Sequence, residues 1–295
     1  MRPTPSQRSA ISRLFSSAVF RELATKGRSP LFARLFNQSL VDFVTKPNAK
    51  VLDAFESAFA VLRTNGLRDE YVYRAALTHK VLLGTHSLRT ACMLSEFRTG
   101  TCKADVAILN GTSTVYEIKS ERDSLTRLEN QLENYKRVFA KAYVIASEDH
   151  IPSIVESTST DVGVICLSRR HQIKTIRVAR ERADCVCPVS IFESVRTTEA
   201  CAILQYLGLP IPDVPNTRMH LELCEVFRGL RPADVHSAMV ATLKRTRNLA
   251  PLAQLLDRVP ASLQPAALSV AIRRSDHNLL VQAIETPLVS ALMWA

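Results

Sequence analysis

Residues 103–135 read KADVAILNGTSTVYEIKSERDSLTRLENQLENY, and the pattern of this stretch decides the fold. Two apolar runs, Asp105–Leu109 and Ser113–Lys119, are rich in strand formers and flank Asn110-Gly111, so they predict a β-hairpin. Strand side chains alternate between two faces. Asp105, Ala107 and Leu109 therefore share one face of the first strand, and Val115, Glu117 and Lys119 share one face of the second. Residues paired across a hairpin have a constant sum of residue numbers, so loop length decides whether the charges meet. A two-residue Asn110-Gly111 loop would set Asp105 opposite Tyr116 and turn Glu117 away. The three-residue loop Asn110-Gly111-Thr112 sets Asp105 directly opposite Glu117, and any chemistry shared by the two carboxylates needs a loop of odd length.

Two carboxylates and an ammonium on strands that are otherwise apolar are expensive, because each unpartnered charge taken from water costs several kcal/mol. A divalent cation between the carboxylates would reverse their repulsion. Mg²⁺ suits such a set, favouring one or two carboxylates with water and substrate phosphate, and it can activate water for a phosphodiester displacement. Lys119 on the same face would stabilise the developing charge or orient the attacking water. The plainer alternative is a buried Asp–Lys–Glu ion-pair cluster with no catalytic role.

Asp105 followed twelve residues on by Glu117-Ile118-Lys119 resembles the PD-(D/E)XK nuclease superfamily, and Gln131-x-x-x-Tyr135 resembles the QxxxY helix of its RecB-like members. Within that superfamily the chain looks like a bacterial branch. The resemblance covers about residues 89–180 and implies a restriction-endonuclease-like αβββαβ core. It also implies Asp105 and Glu117 as metal ligands, joined by the backbone carbonyl of Ile118, and Lys119 as the catalytic lysine. Glu96 matches the further upstream acid of many members, although an exposed strand-end carboxylate explains it equally well. Ala104 stands where the motif name has Pro, a position that varies in the superfamily. The expected cofactor is Mg²⁺, with Mn²⁺ as an alternative. Some RecB-like relatives carry an iron–sulfur cluster, but the cysteines at 92, 102, 166, 185, 187, 201 and 224 lack the ligand spacing, so none is expected.

After Lys119 an amphipathic helix is expected. Ser120 and Asp123 look like a capping box that uses Asp in place of Glu or Gln, and Leu125, Leu128, Leu132, Tyr135 and Phe139 form the apolar stripe. Arg127, Gln131 and Tyr135 follow its edge. That edge suits substrate, with Arg127 on phosphate and Gln131 on the backbone or a water. Alternatively Tyr135 belongs to the core and Arg127 pairs with Asp123 or Glu133.

Further strands are predicted at Ala91–Phe97, Ala142–Ala146, Val162–Leu167 and Ile173–Val178, and helices from Val51, from Asp69 to about Leu83, and over Ile151–Ser157. The fold class is thus α/β with a mixed sheet, flanked by helical N-terminal and C-terminal regions. Three segments are expected: a basic, helical or partly disordered extension over 1–48, the nuclease-like core over 49–182, and a helical accessory domain over 188–295. His79 and His86, near the second helix, read as solvent-facing or structurally bonded more readily than as acid–base groups.

The chain of 295 residues has 46% hydrophobic content, ample for a core, and a formal net charge of +10. The surplus is uneven: residues 1–50 hold nine Lys or Arg against two acids, whereas residues 181–295 hold eleven of each. Such a basic segment suits a polyanion, so nucleic acid, DNA before RNA, is the expected partner. No apolar run approaches a membrane span. The Arg- and Ser-rich start superficially resembles an organellar presequence, but a short amphipathic helix through Leu14, Phe15, Ala18 and Val19 explains it. The scattered, odd number of cysteines fits reduced thiols and a cytoplasmic setting. The helical C-terminal region is a candidate surface for a protein partner or homo-oligomer. The alternative function is a catalytically inactive nucleic-acid-binding or protein-interaction module on the same fold.

Overall fold

The computed structural model describes residues 3–39, 48–64 and 66–294. The chain forms two compact units, one from 80 to 250 and one joining the residues up to 79 with those from 251 onward. These limits differ from the boundaries near 48 and 182–188 that the sequence predicts. Burial explains the difference. Helices Pro188–Ser194, Thr197–Tyr206, Asn216–Arg228 and Pro232–Thr246 place Ile191, Ile203, Phe227 and Met239 in the same core as strand residues Ala107, Leu109 and Val115. An apolar helix face is completed by whichever surface covers it, and here that surface is the sheet.

The 80–250 unit is built on a six-stranded mixed sheet in the order β1-β2-β3-β4-β5-β6. The strands are β1 (Cys92–Thr99), β2 (Cys102–Asn110), β3 (Thr112–Lys119), β4 (Lys141–Ser147), β5 (Gly163–Leu167) and β6 (Ile173–Arg177). β1, β2 and β3 run antiparallel in succession, β3, β4 and β5 are parallel, and β6 closes the edge antiparallel. The hairpin has the register of the three-residue loop: Leu109 faces Ser113 and Val106 faces Tyr116. Asn110 and Thr112 still pair, so the chain reverses at Gly111, whose φ of 73° is open to glycine at no steric cost.

The helix after β3 begins later than its sequence suggests, spanning Leu128–Lys136. Ser120 and Asp123 do interact: the Ser120 N–H and hydroxyl both donate to Asp123 Oδ2, at 2.7 and 2.6 Å. They close an isolated turn, with Asp123 N–H reaching back to the Ser120 carbonyl. The same short polar pairing serves turns as well as helix caps, so the motif did not locate the helix start. Leu128, Leu132 and Tyr135 are its buried face, as the stripe predicts.

The other unit is helical. The N-terminal segment forms helices Pro5–Leu14, Ser17–Lys26 and Pro30–Ser39, and Val51–Leu62 and Glu70–Leu77 follow. The single amphipathic helix expected through Leu14 and Val19 is thus two, because Ser16 caps the second by accepting from Val19 N–H. Phe15 stacks on Tyr71 with centroids 4.7 Å apart and meets Phe55 at 5.6 Å, and the Tyr71 hydroxyl donates to the Ser262 carbonyl. Among the described residues no helix is long and apolar enough to cross a membrane.

Candidate active site

Glu117 and Lys119 lie on the core-facing side of β3, toward the Leu128–Lys136 helix, and are 1% and 5% exposed. Lys119 Nζ donates to Glu117 Oε1 at 2.8 Å and to Gln131 Oε1 at 2.9 Å. The Tyr135 hydroxyl lies 2.7 Å from Glu117 Oε2 and 2.8 Å from the Lys103 carbonyl. One helical turn separates Gln131 from Tyr135, so a single helix face holds the ammonium with one residue and the carboxylate with the other. Burial, followed by the charge of Glu117, pushes the Tyr135 phenol far above its ordinary range, so it acts as a neutral donor.

Asp105 enters from the neighbouring strand. The β2–β3 ladder stops at Val106 and Tyr116, one step short of Asp105 and Glu117, while β3 continues to pair with β4 as far as Lys119. The Asp105 carboxylate fills the gap, accepting the Ile118 N–H on Oδ2 at 2.8 Å. A side chain thus satisfies a donor that lies beyond the end of the ladder. The same level is disturbed one strand further out. β1 and β2 pair at Ser95–Val106 and Phe97–Ala104, and the Glu96–Asp105 step between them is absent. Glu96 has φ 53°, in the left-handed region that costs a non-glycine residue about 1–3 kcal/mol. The core-facing series runs Cys92, Leu94, Phe97 on β1 and Leu109, Ala107, Ala104 on β2, with one odd interval in each. Both strands therefore change phase together at Glu96 and Asp105. The outcome is a row of three acids, Glu96, Asp105 and Glu117, across three adjacent strands at the level where both ladders open. Carboxylate oxygens of Glu96 and Asp105 lie within 4.8 Å of each other.

The remaining residues named from the sequence fall into place as follows. Gln131 is half-buried against Lys119, and Tyr135 is fully buried behind Glu117, a supporting position in place of the substrate contact read from the helix edge. Arg127 is exposed at the start of the helix and forms no ion pair among the described residues, so its proposed pairing with Asp123 or Glu133 is not seen. His86 bonds Asn110 through Nδ1 at 2.7 Å, the structural role expected of it. All seven cysteines are free thiols. The second link of Tyr135, to the Lys103 carbonyl, is not legible in the sequence, because a backbone acceptor on another strand leaves no residue signal.

The fold and site define an α/β protein whose mixed sheet carries a buried carboxylate–lysine–tyrosine network at a split between strands. Residues 63–255 match the family model of bacteriophage P4 protein cII, and the chain belongs to that family. Protein cII of Enterobacteria phage P4 is 40% identical over 83 residues, covering 28% of this chain and 31% of that protein. The matched segment thus spans about a third of that relative's length. The SPO1766 protein of unknown function from Silicibacter pomeroyi is similar at a TM-score of 0.31 with 18% identity, covering 46% of this chain and 88% of that one. A superposition that loose supports no inference about function.

Proposed function

We propose that Asp105, Glu117 and Lys119 form the centre of a metal-dependent nuclease that hydrolyses phosphodiester bonds, DNA before RNA, on a restriction-endonuclease-like core. The observation that carries this reading is the row of Glu96, Asp105 and Glu117 across three opened strands, with the Lys119 ammonium 2.8 Å from Glu117. The run of three strands, the Leu128–Lys136 helix and β4 supports the βββαβ part of that core.

The donor set is of the chemical type a divalent cation takes, with Glu96 and Asp105 oxygens within 4.8 Å of each other, although Glu117 is not among the acids grouped at that spacing. Glu117 accepts one hydrogen bond on each oxygen, and a carboxylate offers about four lone-pair sites, so capacity remains on both. Asp105 and Glu117, with the Ile118 carbonyl and Glu96 in support, are hard oxygen ligands of the kind Mg²⁺ or Mn²⁺ takes. A bound ion would supply charge neutralisation and a more acidic water. The chain's own groups do the positioning: Tyr135 and Lys119 hold the Glu117 plane, Gln131 fixes Lys119, and Lys119 offers a cation to an anionic oxygen that gains charge. Arg127, exposed beside this helix, is placed to meet a substrate phosphate.

Incubating the full chain with plasmid, linear and single-stranded DNA in Mg²⁺, Mn²⁺ or EDTA tests the proposal. Metal-dependent cleavage, lost in Asp105→Asn, is expected. A second reading, an inactive nucleic-acid-binding or protein-interaction module, draws on Lys119 and Tyr135 closing around Glu117. DNA binding without cleavage in any metal would select that reading and end the first.

A further inference from the structure

A second cluster of charge lies at the other end of the parallel strands. Lys136 and Arg137 close the Leu128–Lys136 helix, Asp161 precedes β5, and Arg180 and Arg182 follow β6. With Glu133 they line a cavity of about 200 Å³ near the start of β4. Glu117 and Lys119 pair with Val144 and Ala146, whereas the cavity reaches Ala140 and Ala142. The two places are therefore separate along the sheet.

Four cations and two carboxylates line the cavity. Asp161 ties down two of the cations: Arg182 Nη1 lies 2.6 Å from Oδ2, and Lys136 Nζ lies 3.3 Å from Oδ1 and 2.7 Å from Ser159 Oγ. Burial alone would raise the Asp161 carboxyl, but the Ser159 hydroxyl, Arg182 and Lys136 hold it well below the usual carboxylate range. Asp161 thus stays ionised and serves to orient its two partners. Arg137 and Arg180 have no carboxylate partner among the described residues; the Arg137 guanidinium reaches only Cys187 Sγ, at 3.9 Å. Backbone bonds hold the cavity walls together, from Arg180 N–H to the Asp161 carbonyl, from Arg182 N–H to the Ala140 carbonyl, and from Cys187 N–H to the Arg137 carbonyl.

A volume near 200 Å³ is below the ~300–1,000 Å³ of sites for drug-sized molecules. It suits a small group. Guanidinium forks match the oxygens of a phosphate in two-point contacts, and two of the four cations lining the cavity have no carboxylate partner among the described residues to give up on binding. We infer that the cavity bounded by Arg137, Arg180, Lys136 and Arg182 is a phosphate-binding site, taking a phosphomonoester or one phosphate of a nucleic-acid backbone. The site stands independently of the proposed nuclease centre.

The test is calorimetric titration of the full chain with inorganic phosphate, in parallel with Arg137→Gln/Arg180→Gln and with Arg169→Gln as a control outside the cavity. Wild type and Arg169→Gln should bind phosphate alike. The double variant should bind at least about tenfold more weakly, because it removes both unpaired forks. Arg180→Gln alone, a change at an exposed residue, should show part of this loss at an unchanged melting temperature. A second arm measures DNA affinity against salt. A shallower slope in the double variant assigns the site to a nucleic-acid phosphate, since each lost phosphate contact lowers counterion release. An unchanged slope alongside lost phosphate binding assigns it to a small phosphorylated ligand. Absence of phosphate binding by wild type, or equal binding by the double variant, overturns the inference.

Discussion

Two buried glutamates of the sheet unit, Glu117 and Glu199, are held in different ways. Glu199 accepts four hydrogen bonds: Arg247 Nε and Thr246 Oγ1 donate to Oε1 at 2.8 and 3.1 Å, and Arg247 Nη2 and the Arg196 N–H to Oε2 at 2.7 and 2.9 Å. Its lone-pair capacity is full. The Arg247 guanidinium also lies over the Phe97 ring, 5.2 Å from its centroid, so the tie joins the end of one helix to the sheet. Glu117 accepts two bonds, from Lys119 and Tyr135, and stands beside an opened ladder with Asp105 and Glu96 in line. A filled carboxylate is a structural tie. One filled by half, in a row of acids, has capacity for a further ligand.

The comparison breaks most directly at Glu117. Glu117→Gln and Asp105→Asn keep shape and remove ligand charge, so each should abolish Mg²⁺-dependent cleavage and weaken Mg²⁺ binding in calorimetry. Wild-type cleavage by either would put the site elsewhere. Lys119→Ala should lower cleavage about a hundredfold, the equivalent of ~3 kcal/mol of lost charge stabilisation, while metal affinity holds or rises because a like charge is gone. Cleavage by Lys119→Ala at the wild-type rate would make Lys119 a structural ion-pair partner and nothing more.

Stability separates the two glutamates next. Arg247→Ala leaves Glu199 ionised in a dry site and should cost about 3–5 kcal/mol in denaturant unfolding, with or without Mg²⁺. Lys119→Ala should destabilise as well, yet saturating Mg²⁺ should recover much of its loss, because an ion can take the place of the ammonium beside Glu117. Equal responses to Mg²⁺ in the two variants would remove the distinction drawn between them.

The pH dependence follows with a smaller effect. Burial alone would raise the Glu199 carboxyl, but Arg247, the Arg196 N–H and Thr246 hold it below its ordinary value. The folded state therefore binds fewer protons there than the unfolded chain does. The contribution is complete above the ordinary carboxylate range and is lost as pH falls through the lowered folded value. Acid titrations of stability should be steep in wild type and shallower in Arg247→Ala; matching slopes would count against the tie. Smallest is Tyr135→Phe, which removes the hydroxyl from Glu117 and from the Lys103 carbonyl and should cost about 1–3 kcal/mol. Gel-shift affinity for DNA should be unaffected, because the hydroxyl is turned inward; a marked loss would return Tyr135 to the substrate side.

Much of the hairpin was readable from residue order because its physics is local. Alternation and the constant-sum rule show that a loop of odd length brings Asp105 level with Glu117, and the reversal at Gly111 supplies that length. The Leu128, Leu132 and Tyr135 stripe was readable for the same reason, with period 3.6 in place of 2. Ser120 and Asp123 misled, since one pair of polar groups closes a free turn as readily as it caps a helix, and only the surrounding chain chooses between them.

The amino-acid sequence by itself thus determined the strands, the apolar face of the helix and the two registers open to the hairpin, and the folded pairing of Leu109 with Ser113 chose between them. Tertiary structure alone decided where the ladders open and which helices complete the core. It also decided that Glu199 meets Arg247, that Arg137 and Arg180 face a shared cavity, and that the Tyr135 hydroxyl reaches the Lys103 carbonyl. The physical reason is the range of the forces. Backbone sterics and periodic burial act over a few residues and leave a pattern in the order of the chain. Pairing between groups far apart in sequence, and the phase change shared by β1 and β2 at Glu96 and Asp105, depend on which surfaces the folded chain brings into contact.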